Sequence, residues 1–78
     1  FRKIQAMELR PGRYRHYKGN DYLVLDVVKH SETEAELVLY HALYGEAQYQ
    51  KWVRPLEMFI EQVELNGMLV PRFKFVEP

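Results

Sequence analysis

The chain has 78 residues, which is enough for one domain and too few for two. Lys and Arg number 11 and Asp and Glu number 11, so the net charge is zero, whereas nucleic-acid-binding domains usually carry a strong basic excess. The hydrophobic content of 47% and the aromatic content of 14% argue against disorder. We therefore expect a single folded domain over residues 1–78.

Cysteine usage and hydropathy indicate where such a domain resides. The sequence contains no cysteine, which favours a reducing compartment and excludes both disulfides and cysteine-ligated zinc sites. No apolar run approaches the roughly 20 residues of a membrane span. The sequence therefore predicts a cytoplasmic domain with no membrane association.

The N-terminal part of the chain predicts a lead-in segment and then a first strand. Residues 1–10 precede Pro11-Gly12, a pair through which helices seldom pass. We expect the folded part of the domain, a small β structure described below, to span residues 11–76. Residues 13–17 suit a strand, and Lys18-Gly19-Asn20-Asp21 is a turn signal that ends it.

Two longer strands are predicted next. Residues 22–30 are rich in β-branched and aromatic residues, and alternation places Leu23, Leu25 and Val27 on the face assigned to the core. Residues 36–43 carry apolar side chains on both faces, which indicates a strand that is central or covered on both sides.

The C-terminal half predicts a strand, a short helical turn and a hairpin. Residues 49–54 suit a strand, and Pro55 favours a helical or 3₁₀ turn near residues 56–60. Asn66-Gly67 between apolar runs is a strong hairpin signal, and Pro71 marks an edge in the last strand. Turns every 8–12 residues are typical of a small barrel or sandwich. The predicted fold is mostly β, with five to six short antiparallel strands and one short helical turn.

Five motifs occur in order along the chain. They are GRYRHYKG (12–19), HSET (30–33), LVLY (37–40), WVRPLEMF (52–59) and VPRF (70–73). This set resembles the bacterial DUF1653 family over roughly residues 10–75. The resemblance implies a small SH3-like β barrel, in agreement with the strand pattern. It implies no catalytic residues, because the family is a domain of unknown function.

Aromatic and arginine side chains supply the candidate ligand-binding surface. Aromatic grooves bind peptides in SH3-like folds, and aromatics beside cations can stack nucleic-acid bases. The alternative for most of the tyrosines is packing on strands. The candidate residues are Tyr14, His16, Tyr40, Trp52, Arg54 and Arg72, with His30, Glu32 and Thr33 in a loop at one end.

Arg54 has two equally weighted interpretations. It shares a strand face with Trp52, so its guanidinium could stack on the indole or bind a carboxylate or phosphate through two hydrogen bonds. Alternatively, it pairs with Glu57 or Glu61 and fixes the helical turn.

The histidines and the polar loop are candidates for a metal or catalytic site. His16, His30 and His41 lie on different predicted strands with no local ligand spacing, so neither a metal nor another cofactor is predicted. The loop His30-Ser31-Glu32-Thr33 contains a base, a hydroxyl and a carboxylate, but a turn with hydrogen bonds to the backbone explains it better.

The sequence therefore favours a non-catalytic binding or accessory module that recognises a peptide or protein partner. The first alternative is a nucleic-acid-binding barrel, because basic residues dominate the first 18 positions. The second is a small enzyme that uses the His30–Thr33 loop. A filled 78-residue barrel has little room for a deep catalytic cleft, which places this second alternative last.

Overall fold

The computed structural model describes residues 9–46 and 48–78, so the predicted lead-in segment lies almost wholly outside the described residues. Seven strands and one helix occur in the described ranges: β1 (Gly12–His16), β2 (Asp21–Lys29), β3 (Glu36–Ala42), β4 (Lys51–Pro55), α1 (Leu56–Phe59), β5 (Gln62–Leu65), β6 (Met68–Pro71) and β7 (Phe73–Glu77). Within these ranges, no helix has the length and apolar character needed to cross a membrane.

The strands form two antiparallel sheets. The larger sheet has the order β4-β3-β2-β1-β7, with β4 and β7 at its edges, and β5 pairs with β6 in a separate hairpin. The mostly β fold is confirmed. The strand number is seven rather than five or six, because the chain changes sheets at Arg72, between β6 and β7. Pro71, which has no N–H to donate to a strand ladder, ends β6.

The core lies on the face of the large sheet that α1 covers. Its buried residues are Tyr14, Val24, Val38, Tyr40, Leu56, Phe59 and Phe73. The helix contributes Leu56 and Phe59 and packs on β3 and β4. The helical turn after Pro55 is thus confirmed, as is the central position of β3 between β2 and β4.

The core face of β2 differs from the prediction in its first half. Val24 is 2% exposed and pairs with Tyr40, whereas Leu23 pairs with His41 on the opposite face. The pairing register shifts between Val24 and Asp26, so Leu25 is an extra residue in the strand. Such a β-bulge exchanges the two faces of a strand. Val27, beyond the bulge, pairs with Val38 on the core face as expected.

The predicted Asn66-Gly67 hairpin is confirmed. Asn66 has φ 54° and Gly67 has φ 80°, so both central residues adopt the left-handed conformation of a type I′ turn. Leu65 pairs with Met68 across this turn.

Candidate functional site

The core face of the large sheet continues into an open cluster of aromatic and basic side chains. Strand pairing brings these residues together, because directly paired residues project from the same face: Tyr40 pairs with Trp52, and His16 pairs with Phe73. We call this cluster the aromatic–arginine surface. Its buried floor consists of Tyr40 and Phe73, both 7% exposed, and its more exposed members are His16, Tyr22, Tyr44, Trp52, Arg54 and Arg72.

Phe73 is the central ring of this surface. Its ring centroid lies 4.9 Å from that of His16 and 5.5 Å from that of Tyr22, both in edge-to-face geometry. On the core side it stacks on Phe59, with 4.1 Å between centroids and parallel planes. Because Phe73 contacts both the core and the surface, the core fixes the position of the surface residues.

Arg54 lies half-buried above this aromatic floor. Its guanidinium carbon is 5.5 Å from the centroid of Phe73, and its Nε donates a long hydrogen bond of 3.5 Å to the hydroxyl of Tyr40. Its aromatic neighbour is therefore Phe73 and not Trp52, whose indole was one of the alternatives left open for Arg54.

Arg72 is engaged in an ion pair. Its Nε and Nη2 donate to Oε1 of Glu61 at 3.0 and 2.5 Å, and the backbone N–H of Arg72 donates to the carbonyl of Glu61. Glu61 thus pairs with Arg72, not with Arg54. This pair joins the entry of β7 to the segment after α1 and compensates the charge of Arg72.

Tyrosine hydroxyls form the polar rim. The hydroxyls of Tyr22 and Tyr44 are 2.7 Å apart and share a hydrogen bond. Burial, and then this hydrogen bond, raise the pKa of Tyr22 to about 12. The phenol therefore stays protonated well into the alkaline range, and either hydroxyl of the pair can be the donor.

His16 occupies an electropositive position on the same surface. Its Nδ1 accepts the backbone N–H of Lys18 at 3.1 Å, so the neutral ring carries its proton on Nε2. Burial, followed by the charges of Arg72, Arg54 and Lys18, lowers the pKa of His16 below its ordinary value of 6.5.

This arrangement predicts a pH effect. As pH falls below 6.5, the unfolded chain binds a proton at His16 before the folded chain does, so stability contributed by the neutral ring declines until pH reaches the folded pKa. We expect the NMR titration midpoint of His16 to lie below 6.5 and to rise in the Arg54→Gln variant. The variant His16→Gln, whose side chain does not titrate, should lose this component of the pH dependence. A midpoint at or above 6.5 in the wild type would contradict the assignment.

Two other predicted site residues have different environments. Tyr14 is 5% exposed and its hydroxyl donates to the carbonyl of Arg10 at 2.8 Å, so it belongs to the core and not to the surface for which it was proposed. Trp52 is 50% exposed beside Tyr40, as a binding residue requires.

The His30–Thr33 loop lies at the opposite end of the β2–β3 hairpin. Residues 23–29 separate His30 from Tyr22, a strand length of about 25 Å at ~3.3 Å per residue. Nδ1 of His30 accepts the backbone N–H groups of Glu32 and Thr33 at 3.1 and 3.3 Å. The loop is therefore a turn with hydrogen bonds to the backbone, and its side chains do not join the other predicted site residues.

Sequence reasoning did not place Tyr22, Tyr44 and Phe73 at the site. Tyr22 reaches the face of Tyr40 only because of the bulge at Leu25, and Tyr44 follows the end of β3. The sequence feature that could have identified Phe73 is the VPRF motif, in which this phenylalanine directly follows Arg72.

A concave region lies beside the β5–β6 hairpin, apart from most of the aromatic–arginine surface. It is an open groove of about 570 Å³ between this hairpin and the β1–β7 part of the large sheet, and its apolar lining includes Leu65, Val70 and Val76. Of the predicted site residues, the groove includes His16. Across residues 9–46 and 48–78, no three His, Cys, Asp or Glu side chains are grouped so that they could hold a metal ion.

Comparison with known proteins places the chain in a family. The sequence model of the DUF1653 family, described as a protein of unknown function, matches residues 12–75. The structure is similar to the crystal structure of a DUF1653 protein from Bordetella bronchiseptica, with a TM-score of 0.84, 38% sequence identity and coverage of 92% of each chain. The comparison with the curated proteins gives no match. On the strength of the match over residues 12–75 and of this shared fold, the chain belongs to the DUF1653 family.

Proposed function

We propose that this domain is a non-catalytic binding module that recognises a peptide or protein partner through the aromatic–arginine surface. The observation that supports the proposal best is a half-buried guanidinium, that of Arg54, set beside the rings of Phe73 and Tyr40 where the core face of the large sheet reaches solvent. Such a site offers apolar contact area and directional hydrogen-bond donors together.

The residue types of this surface suit protein recognition. Trp, Tyr and Arg dominate the binding energy of protein interfaces, because they combine a large contact area with a polar group. Trp52 and Tyr44 are 50% and 41% exposed, so both can lose considerable area to water on binding. Edge-to-face contacts fix the rings of Tyr22 and Phe73, so ordering them costs little entropy when a partner binds.

The pairing of the basic residues favours a protein partner over a nucleic acid. Arg13 pairs with Asp21 at 2.6 Å and with Glu77 at 2.9 Å, and Arg15 pairs with Asp21 at 2.8 Å. The hydrogen bond from Arg15, and then that from Arg13, lower the pKa of Asp21, so this carboxylate stays ionised. The basic bias of the first 18 residues is thus partly compensated by acids brought from other strands.

The position of the polar loop favours binding over catalysis. A general base must reach the group that it deprotonates, and Nδ1 of His30 instead accepts backbone N–H groups at the far end of the β2–β3 hairpin. We also propose a cytoplasmic location, which the cysteine-free composition supports.

A capture experiment tests the binding function. The wild-type domain, a Trp52→Ala/Arg54→Ala variant and a His30→Ala variant are immobilised and exposed to bacterial lysate. We expect the double variant to lose at least about 30-fold in affinity for the captured partner, the factor for a hot-spot loss of about 2 kcal/mol. His30→Ala is the matched control, and it should bind like the wild type.

Circular dichroism of each variant verifies folding before the comparison. Capture of the same proteins by all three folded forms would exclude this surface as the binding site. Absence of any specific partner would contradict the binding function itself.

A further inference from the structure

We propose that the aromatic–arginine surface binds a carboxylate of an acidic peptide segment, with Arg54 as the residue that holds it. This inference rests on the proposed binding function and specifies the chemistry of the partner.

The first argument is the hydrogen-bonding capacity of Arg54. A guanidinium has five N–H donors, and the described residues supply Arg54 with one side-chain acceptor, the Tyr40 hydroxyl at 3.5 Å from Nε. Across residues 9–46 and 48–78, no carboxylate oxygen lies within ion-pair distance of this guanidinium. Among the described residues nothing occupies the two terminal nitrogens, which have the geometry for two parallel hydrogen bonds to a carboxylate.

The second argument is the environment of this cation. Arg54 is half-buried above the Phe73 ring and beside Tyr40, which is 7% exposed, so its guanidinium is partly shielded from water. Charge-assisted hydrogen bonds are stronger where water is partly excluded. The Tyr22–Tyr44 hydroxyl pair and the Nε2–H of His16 add donors on the same surface.

The third argument is the number of uncompensated charges. Arg72, the other guanidinium of the surface, already pairs with Glu61, so Arg54 is its one guanidinium without an acidic partner among the described residues. One such group matches a singly charged carboxylate. A nucleic-acid backbone carries a charge on every nucleotide and is bound by several cations, and Arg13 and Arg15 pair with Asp21 and Glu77.

The exposed aromatic residues indicate what flanks the carboxylate. Trp52 is adjacent to Tyr40 on the neighbouring strand and is half-exposed, so it offers its indole to an apolar side chain next to the acidic residue. The expected ligand is therefore a peptide segment with an acidic residue beside an apolar or aromatic one.

Peptide libraries provide the test. Capped, amidated short peptides carry aspartate or asparagine at a central position, with an apolar residue beside it and the remaining positions randomised. A third library carries asparagine with a free C-terminal carboxylate. Binding of each library is followed by ¹H–¹⁵N chemical-shift changes in the wild type, in Arg54→Gln, in Arg54→Lys and in Lys51→Gln.

Lys51→Gln is the matched control, because it removes one positive charge from the same strand on the opposite face. We expect aspartate peptides to bind about 10-fold to 100-fold more tightly than asparagine peptides, the range for charge-assisted hydrogen bonds. Arg54→Gln should abolish this preference, Arg54→Lys should reduce it because the forked geometry is lost, and Lys51→Gln should retain it.

The titration midpoint of His16 should rise when the carboxylate binds, since the new negative charge offsets the neighbouring cations. Preference for the free C-terminus over the amidated peptides would identify a terminal carboxylate as the source.

The outcomes separate this inference from the proposed function. Equal binding of aspartate and asparagine peptides, lost in a Trp52→Ala variant, would overturn the carboxylate inference and leave the binding function intact. An equal loss in Arg54→Gln and Lys51→Gln would also overturn it, because charge alone would then explain the preference. If no peptide library bound and single-stranded RNA bound in a salt-sensitive manner, both proposals would be overturned.

Discussion

Replacing Phe59 by alanine is expected to destabilise the domain by about 3–5 kcal/mol, the range for removal of a buried aromatic ring. Phe59 is 1% exposed and contacts the rings of Tyr14, Tyr40 and Phe73. A domain of this size has roughly 0.05–0.15 kcal/mol of stability per residue, so such a loss is a large fraction of the total. Urea denaturation followed by circular dichroism measures the change.

Met58→Ala is the control for this prediction. Met58 neighbours Phe59 in α1 but is 44% exposed, so its removal should change stability by no more than about 0.5 kcal/mol. Similar midpoints for the two variants would show that α1 does not hold the core. Because Phe59 stacks on Phe73, the fraction of Phe59→Ala molecules that remains folded should also bind more weakly at the aromatic–arginine surface.

The second large effect is expected from Gly12→Ala, which should cost about 2–5 kcal/mol through backbone strain and overpacking together. Gly12 has φ +139°, and a Cβ atom there would lie 2.5 Å from the carbonyl oxygen of Glu77 and 2.9 Å from Cα of Pro78. Both contacts are with backbone, which cannot move without disturbing the β1–β7 pairing. Equilibrium unfolding in urea gives the free energy directly.

Gly19→Ala separates the two causes. Gly19 has φ +109°, but nothing lies within 4 Å of a Cβ atom built there. It should therefore show the strain without the clash and lose about 1–3 kcal/mol. If Gly12→Ala were no more destabilising than Gly19→Ala, the close approach of β1 to the end of β7 would add nothing to the loss in free energy of unfolding.

Local signals in the sequence determined most of the secondary structure. The Asn66-Gly67 turn, the helical turn after Pro55 and the central strand over residues 36–43 depend on turn chemistry and apolar alternation, which act over a few residues. The five motifs likewise identified the family. Trp52 and Arg54 could be placed on one strand face because alternation alone decides this.

Tertiary structure decided which faces and which partners these residues have. Without a bulge, the β2–β3 pairing would put Leu23, Leu25 and Val27 opposite core residues of β3, as the sequence predicted. One extra residue at Leu25 instead moves Tyr22 and Val24 to the core face, and no local pattern marks it.

The ion pairs and the loop position depend on which strands pair and in which register. Arg72 rather than Arg54 pairs with Glu61, because the β5–β6 hairpin places Glu61 opposite Arg72, one position beyond the Gln62–Pro71 pair. The His30–Thr33 loop is remote from Tyr22 because an antiparallel hairpin places its turn at one end and its open strands at the other. Contacts between residues far apart in sequence form only when the strands pair, so composition and alternation determined the elements of this domain, and the register of its strands determined the site.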